Sequence, residues 1–179
     1  MGPRFPKRLR MSGYRFDRLK VLVVDDNVHM CKVVCAILHG FGVQHVCEAH
    51  DAEQAWTMSC DFKPDIIVLD WMMPGMTGIE LAQKIRTDEA SPDPYVPIIM
   101  LTGYTSIARV REARDAGVTE VLAKPVSAQA IYSRLASIAE RPRPFVRTKM
   151  FFGPDRRRHE DEYKGPERRD DDDETAKVA

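Results

Sequence analysis

Val21-Leu22-Val23-Val24-Asp25-Asp26 and Ile66-Ile67-Val68-Leu69-Asp70 decide the reading of this chain. Each is a short apolar run that stops on carboxylates. Two further runs behave alike: Ile98-Ile99-Met100-Leu101 ends on Thr102, and Val118 to Ala123 ends on Lys124-Pro125. In an open parallel α/β sheet, ligand sites lie beyond the carboxyl ends of the strands. If the runs are neighbouring parallel strands, three carboxylates, a hydroxyl and an ammonium meet at one edge. That set suits a hard divalent cation and a phosphoryl group.

Working outward, the stretch from Leu19 to Glu140 alternates short β-rich runs with stretches of helical period. Strands are predicted over 19–24, 44–49, 66–70, 97–102 and 118–123. Helices are predicted over 28–40, 52–62, 78–88, 106–115 and 127–139. In the first helix, Met30, Val33, Val34, Ile37, Leu38 and Phe41 fall on one side at a 3.6-residue period. Asp51 and Ser127 stand as N-caps, and Gly40 and Gly117 as C-cap glycines. Thr87 to Pro97, with three prolines, is a loop. Five β/α units imply one doubly wound, five-stranded parallel sheet.

The chain has 179 residues, 44% hydrophobic and 30% charged, which suits one soluble domain with extensions. No apolar run approaches the roughly 20 residues that span a bilayer. The basic segment Met1–Lys20 lacks the apolar stretch of a secretory signal, so a cytoplasmic location is expected. Cys31, Cys35, Cys47 and Cys60 show no CxxC spacing and read as reduced, mostly buried thiols. The zero net charge hides a segregated pattern. Residues 1–20 hold seven basic side chains against one acidic, residues 21–140 nine against sixteen, and residues 141–158 seven against one. Asp170 to Glu174 is then an unbroken acidic run. The organisation expected is a basic arm over 1–17, a folded domain over 18–140 and a tail over 141–179.

Asp25, Asp26 and Asp70 offer hard oxygens of the kind Mg²⁺ takes. One carboxylate can then act as a nucleophile and form an acyl phosphate. Thr102 can donate a hydrogen bond to a phosphoryl oxygen, and Lys124 can pair with another. Alone, an Asp-Asp pair after a strand reads as helix capping and a Lys-Pro as a turn. The weight lies in their order, each at a strand end.

These residues resemble the receiver domain of bacterial two-component response regulators, a flavodoxin-like (βα)5 fold. The matching segments are Val21 to Asn27, Leu69 to Gly78, Leu101-Thr102-Gly103 and Ala123-Lys124-Pro125. The resemblance covers about residues 18–140. It implies that Asp70 is the phosphoacceptor, loaded from a histidine kinase or phosphotransfer protein, and that the chain is not a turnover enzyme. It implies that Asp25, Asp26, Asp70 and the backbone carbonyl of Met72 hold Mg²⁺, that Thr102 and Lys124 bind the phosphoryl group, and that Lys124–Pro125 is cis. One departure stands out. The family's switch position, three residues before the lysine, is usually Tyr or Phe, and here it is Val121. The usual relay of threonine and aromatic ring is therefore altered: either Tyr104 is its partial substitute, or the output depends less on phosphorylation. Trp71 and Met72 are placed at the mouth of the site.

Beyond Glu140 the chain is Pro-, Arg- and Asp-rich and is expected to be disordered when alone. It is too short and polar for a helix-turn-helix domain, which argues against a DNA-binding output. It carries an internal repeat: Gly153-Pro154-Asp155-Arg156-Arg157 recurs as Gly165-Pro166-Glu167-Arg168-Arg169. Gly-Pro reads as a turn presenting an arginine pair. Arginine bonds guanine O6 and N7, stacks on bases and pairs with phosphate. Two such units suit a ligand with two guanines and two phosphates, which is cyclic di-GMP. The arrangement resembles CheY-like regulators whose Arg-rich extension binds cyclic di-GMP and which act on the flagellar motor. That resemblance points to Asp155, Arg156, Arg157, Arg158, Glu167, Arg168 and Arg169 as ligand contacts. A passive solvated linker and an Arg-rich contact for nucleic acid stand beside it as alternatives.

Overall fold

The computed structural model describes residues 16–104, 106–148 and 151–155. Five strands, β1 (Lys20–Val24), β2 (His45–Ala49), β3 (Ile66–Asp70), β4 (Ile98–Thr102) and β5 (Glu120–Ala123), pair in parallel in the order β2-β1-β3-β4-β5. Five helices connect and follow them: α1 (Val28–Gly40), α2 (Ala52–Phe62), α3 (Gly78–Thr87), α4 (Ile107–Asp115) and α5 (Ala128–Glu140). This is the doubly wound sheet expected, with boundaries within two residues of those predicted.

The sheet is covered on both faces, which is why its strands read as nearly continuous apolar runs. Leu22, Val24, Ile67, Leu69, Ile98 and Met100 point into one core, closed by Ala52, Ala55, Leu81, Ala82, Ile85 and Ala113 from α2, α3 and α4. Val21, Val23, Ile66, Val68, Ile99, Leu101 and Leu122 point into the other, closed by α1 and α5 through Cys31, Val34, Leu38, Ile131, Leu135 and Ile138. Strand period and helix period therefore agree on where each side chain is buried.

Several local expectations hold. Asp51 accepts from Gln54 N at 2.7 Å and Ser127 from Ala130 N at 3.2 Å, as N-caps do. Gly117 follows α4 at φ +81°. Others need correction. The buried stripe of α1 is Cys31, Val34, Cys35 and Leu38, and Val33 is half exposed because it lies off that line. Gly40 is the last residue of α1, and the positive φ that ends the helix (+84°) falls on Gly42. Phe16, placed by its sequence context in the basic arm, is buried in the α1/α5 core and meets Tyr132 edge-on at 6.1 Å. The thiols of Cys31 and Cys35 are pushed up, to about 11 and about 12, chiefly by burial, so both are inert.

The larger correction is beyond Glu140. Part of the tail expected to be disordered forms an antiparallel hairpin, β6 (Phe145–Arg147) and β7 (Phe152–Pro154), while residues 156–179 lie outside the described residues. Its rings supply the reason. Phe145 and Phe152 pack on Tyr95, with centroids 5.2 and 5.1 Å away, and on each other. Gly153-Pro154 is thus part of a strand instead of a turn. Beneath Phe145 lies the buried guanidinium of Arg86, which donates to Gly117 O at 3.0 Å and Pro94 O at 2.9 Å. Burial pulls Arg86 down to about 9, against the opposing charge of Asp93. Arg143 pairs with Glu120 at 3.4 Å. The hairpin therefore sits at the edge where β4 and β5 begin, the opposite end of the sheet from Asp70.

Candidate functional site: an acidic pocket at the strand ends

Four of the five strands, β1, β3, β4 and β5, deliver a polar residue to one edge. Strand order reverses between β1 and β3, the switch point where such sheets form a crevice. Asp70 closes β3 at its centre, Asp25 follows β1 on one side, Thr102 closes β4 on the other, and Lys124 follows β5.

The loop after β1 is built by its own side chains. Asn27 caps α1, its Oδ1 accepting from His29 N at 3.0 Å and Met30 N at 3.2 Å. Asp25 Oδ1 accepts from Asn27 N at 2.9 Å, which fixes that carboxylate while leaving its second oxygen to face the pocket. Asp25 and Asp70 are buried and Asp26 is exposed. One oxygen from each lies within 4.8 Å of the others. Three hard, anionic donors at this separation fit a small divalent cation that keeps several waters.

Lys124 reaches across β4 and donates from Nζ to Asp25 Oδ2 and Asp70 Oδ1, both at 2.8 Å. Asp70 is held above the usual carboxylate range, chiefly by burial and further by the nearby charge of Asp25, with Lys124 opposing. Burial works against the Lys124 ammonium, yet its bonds to Asp25 and Asp70 win and raise it. The lysine therefore stays charged in the pocket, and Asp70 carries an unfavourable charge that an incoming cation offsets. The Lys124–Pro125 bond is cis.

The structure brings Asp25, Asp26, Asp70 and Lys124 together. Thr102 sits at the same edge, but its hydroxyl is engaged locally: it donates to Tyr104 O and accepts from Tyr104 N, both at 3.0 Å. Tyr104 is 65% exposed. Val121 is half-buried against the α2–α4 core. Trp71 and Met72 separate: Trp71 is buried with the Arg109 guanidinium 5.1 Å from its ring, and Met72 is exposed. Of the tail residues, Asp155 donates its N–H to Pro144 O at 2.8 Å. Arg156, Arg157, Arg158, Glu167, Arg168 and Arg169 lie outside the described residues.

Two supports of the pocket escaped the sequence reading. Gly78 opens α3 directly against Asp70, and a Cβ there would collide with the Asp70 carbonyl oxygen. A glycine at the start of an otherwise good helix was the available signal, since propensity disfavours it. Beneath Asp25, its carbonyl accepts from Cys31 Sγ at 3.3 Å and lies 3.3 Å from His50 Nδ1. Nothing in the sequence points to that contact.

Residues 21–136 match the family model described as the response regulator receiver domain. The chain belongs to the response regulator receiver family. It is 35% identical over 123 residues to the chemotaxis protein CheY of Pseudomonas aeruginosa, covering 69% of this chain and 98% of that protein. It is also 35% identical over 124 residues to the phosphate regulon transcriptional regulatory protein PhoB of the same species, and there it spans 53% of the relative's length. Among solved structures, the chemotaxis response regulator CheY4 of Vibrio cholerae aligns with a TM-score of 0.62 at 32% identity, over 67% of this chain and 98% of that one. The acidic pocket is of the kind in which receivers hold Mg²⁺, and membership makes the chain a signalling protein served by a kinase phosphodonor instead of an enzyme. Among the described residues, no helix is long and apolar enough to cross a membrane.

Proposed function

We propose that this receiver is phosphorylated on Asp70 by a histidine kinase or phosphotransfer protein. The observation that carries the reading is the convergence of Asp25, Asp26, Asp70 and Lys124 in one pocket, with Asp70 at its centre. A carboxylate oxygen of Asp70 attacks the donor's phosphorus; the new O–P bond forms as the donor's bond to phosphorus breaks, leaving an acyl phosphate. Asp25, Asp26, Asp70 and the Met72 carbonyl are the ligands assigned to Mg²⁺, which when bound neutralises charge between the carboxylates and the phosphoryl group. Lys124 exchanges its contact with Asp70 Oδ1 for a phosphoryl oxygen. Thr102 gives up its bonds to the Tyr104 backbone to donate to another, so the Thr102–Tyr104 turn is the element that responds. Val121, half-buried against the α2–α4 core, stands where a ring would otherwise follow the threonine. On treatment with acetyl phosphate, wild type acquires an acid-labile label and Asp70→Asn does not; label retained on the variant removes Asp70 as acceptor.

The output assigned to the tail is binding of cyclic di-GMP through Asp155, Arg156, Arg157, Arg158, Glu167, Arg168 and Arg169, controlling a protein partner such as the flagellar motor. The repeated Gly-Pro-acid-Arg-Arg unit supports this, together with the seven-to-one excess of basic side chains over 141–158. Calorimetry of the full chain with cyclic di-GMP tests it. Saturable heat that Arg156→Ala or Arg168→Ala weakens is the expected result. Equal binding of any polyanion with a steep salt dependence overturns it in favour of nucleic acid.

A further inference from the structure

The ladder between β1 and β2 stops just short of the acidic pocket, and two side chains take over where it stops. The last pair in register is Val24 with Ala49, and the last ladder bond runs from Asp25 N to Ala49 O at 3.2 Å. In a continuing parallel ladder, the Asp25 carbonyl would accept from the backbone two residues beyond Ala49. That residue is Asp51, which instead caps α2, accepting from Gln54 N at 2.7 Å. Asp25 is buried, and a buried carbonyl left without a donor is costly. Here Cys31 Sγ, from α1, donates to it at 3.3 Å, and His50 Nδ1, from the residue after β2, stands at 3.3 Å.

The position of the ring's proton follows from what the ring faces. A carbonyl oxygen only accepts, so an unprotonated Nδ1 at this distance would set two lone pairs against each other. The proton is therefore assigned to Nδ1, which donates. The carbonyl has two lone pairs, enough for both donors. Sγ and Nδ1 lie 3.8 Å apart, side by side on the one oxygen. That oxygen belongs to the peptide joining Asp25 to Asp26, the adjacent carboxylates of the pocket. One oxygen from each of these, with one from Asp70, lies within 4.8 Å of the others. Like charges so close repel, and rotation of that peptide is a motion that would part them. Clamping it from α1 and from the end of β2 removes this freedom before a cation arrives. Hydrogen bonds made behind a metal ligand orient it in this way.

We propose that His50 is a positioning residue for the divalent-cation site: its Nδ1 donates to the Asp25 carbonyl and, together with Cys31, presets the Asp25–Asp26 carboxylate pair. This rests on the reading of the pocket as a Mg²⁺ site. His50 acts through the Asp25 backbone and is not itself a ligand.

The test is a calorimetric titration of the full chain with Mg²⁺ in wild type, His50→Phe and His50→Asn. His50→Phe keeps a ring and loses the donor. His50→Asn loses the ring and keeps an N–H donor on the same side-chain carbon that carries Nδ1. His50→Phe is expected to bind Mg²⁺ about tenfold more weakly than wild type, and His50→Asn within about threefold of it. Rescue by the amide separates a donor from a ring that merely packs, because packing alone would make His50→Asn the more damaged variant. Differential scanning calorimetry in chelator reports whether each variant is folded; if His50→Phe is not, His50→Ala takes its place. Wild-type affinity in His50→Phe, or an equal loss in both variants, overturns the positioning role and leaves the Mg²⁺ reading standing. Absence of saturable Mg²⁺ binding by wild type itself overturns both.

Discussion

Replacing Lys124 with alanine removes the single ammonium that holds two buried carboxylates together. Its Nζ lies 2.8 Å from both Asp25 Oδ2 and Asp70 Oδ1, carboxylates whose side chains are 1% and 7% exposed. At an effective dielectric constant near 20, each contact is worth about 6 kcal/mol of gross attraction. Most of that only offsets desolvation, and breaking a buried pair on one side typically leaves a net loss of about 3–5 kcal/mol. The Lys124 side chain is 23% exposed, which places the loss at the lower end, about 3 kcal/mol. For a domain of this size the midpoint falls by about 8–15 °C. Mg²⁺ competes with the ammonium for the same oxygens, so it restores the variant by more than it raises wild type. At a hundredfold excess over its dissociation constant, a bound ion adds about 2.7 kcal/mol. Differential scanning calorimetry in chelator and in excess Mg²⁺ measures both effects. A Lys124→Ala midpoint within about 2 °C of wild type in chelator, or an equal Mg²⁺ increment in both proteins, refutes the reasoning.

Two further outcomes follow from the same geometry. Gly78→Val places a branched side chain against the Asp70 carbonyl and the Leu69 side chain, so α3 must shift from β3; denaturant titration is expected to show a loss of at least about 2 kcal/mol, and labelling of Asp70 is expected to fall with it. Asp70 has a raised folded value, so folding favours its protonated form, and the stability that this gives is present below the unfolded value of about 4 and lost as pH rises through the folded value. In metal-free buffer, wild type is therefore expected to lose ground against Asp70→Asn as pH rises above about 4, and a difference in melting temperature that stays constant as pH rises contradicts the raised value.

The parts of this molecule that were legible in sequence are those set by short-range pattern. The runs ending at Asp25, Asp70, Thr102 and Lys124 carry both the strand period and the chemistry, because burial on both faces forces the first and the strand-end crevice uses the second. The caps at Asp51 and Ser127 are local bonds spanning three residues. What remained hidden depends on distant partners. Phe145 and Phe152 lie among prolines and arginines and form three-residue strands, too short for any period; their packing partner Tyr95 is some fifty residues away. Arg86 looks like a solvated cation near a helix end, yet it is buried because two backbone carbonyls, Pro94 and Gly117, accept its hydrogen bonds. Val33 satisfies the helical period but sits at the margin of the face that α1 buries.

The most direct test of the central claim is peptide-mapped mass spectrometry after incubation with acetyl phosphate, with Mg²⁺ or with chelator. The account predicts a single added phosphoryl group on the peptide containing Asp70, present with Mg²⁺, lost with chelator and lost in Asp70→Asn. A phosphoryl group on another residue, or equal modification of Asp70 in chelator, contradicts it.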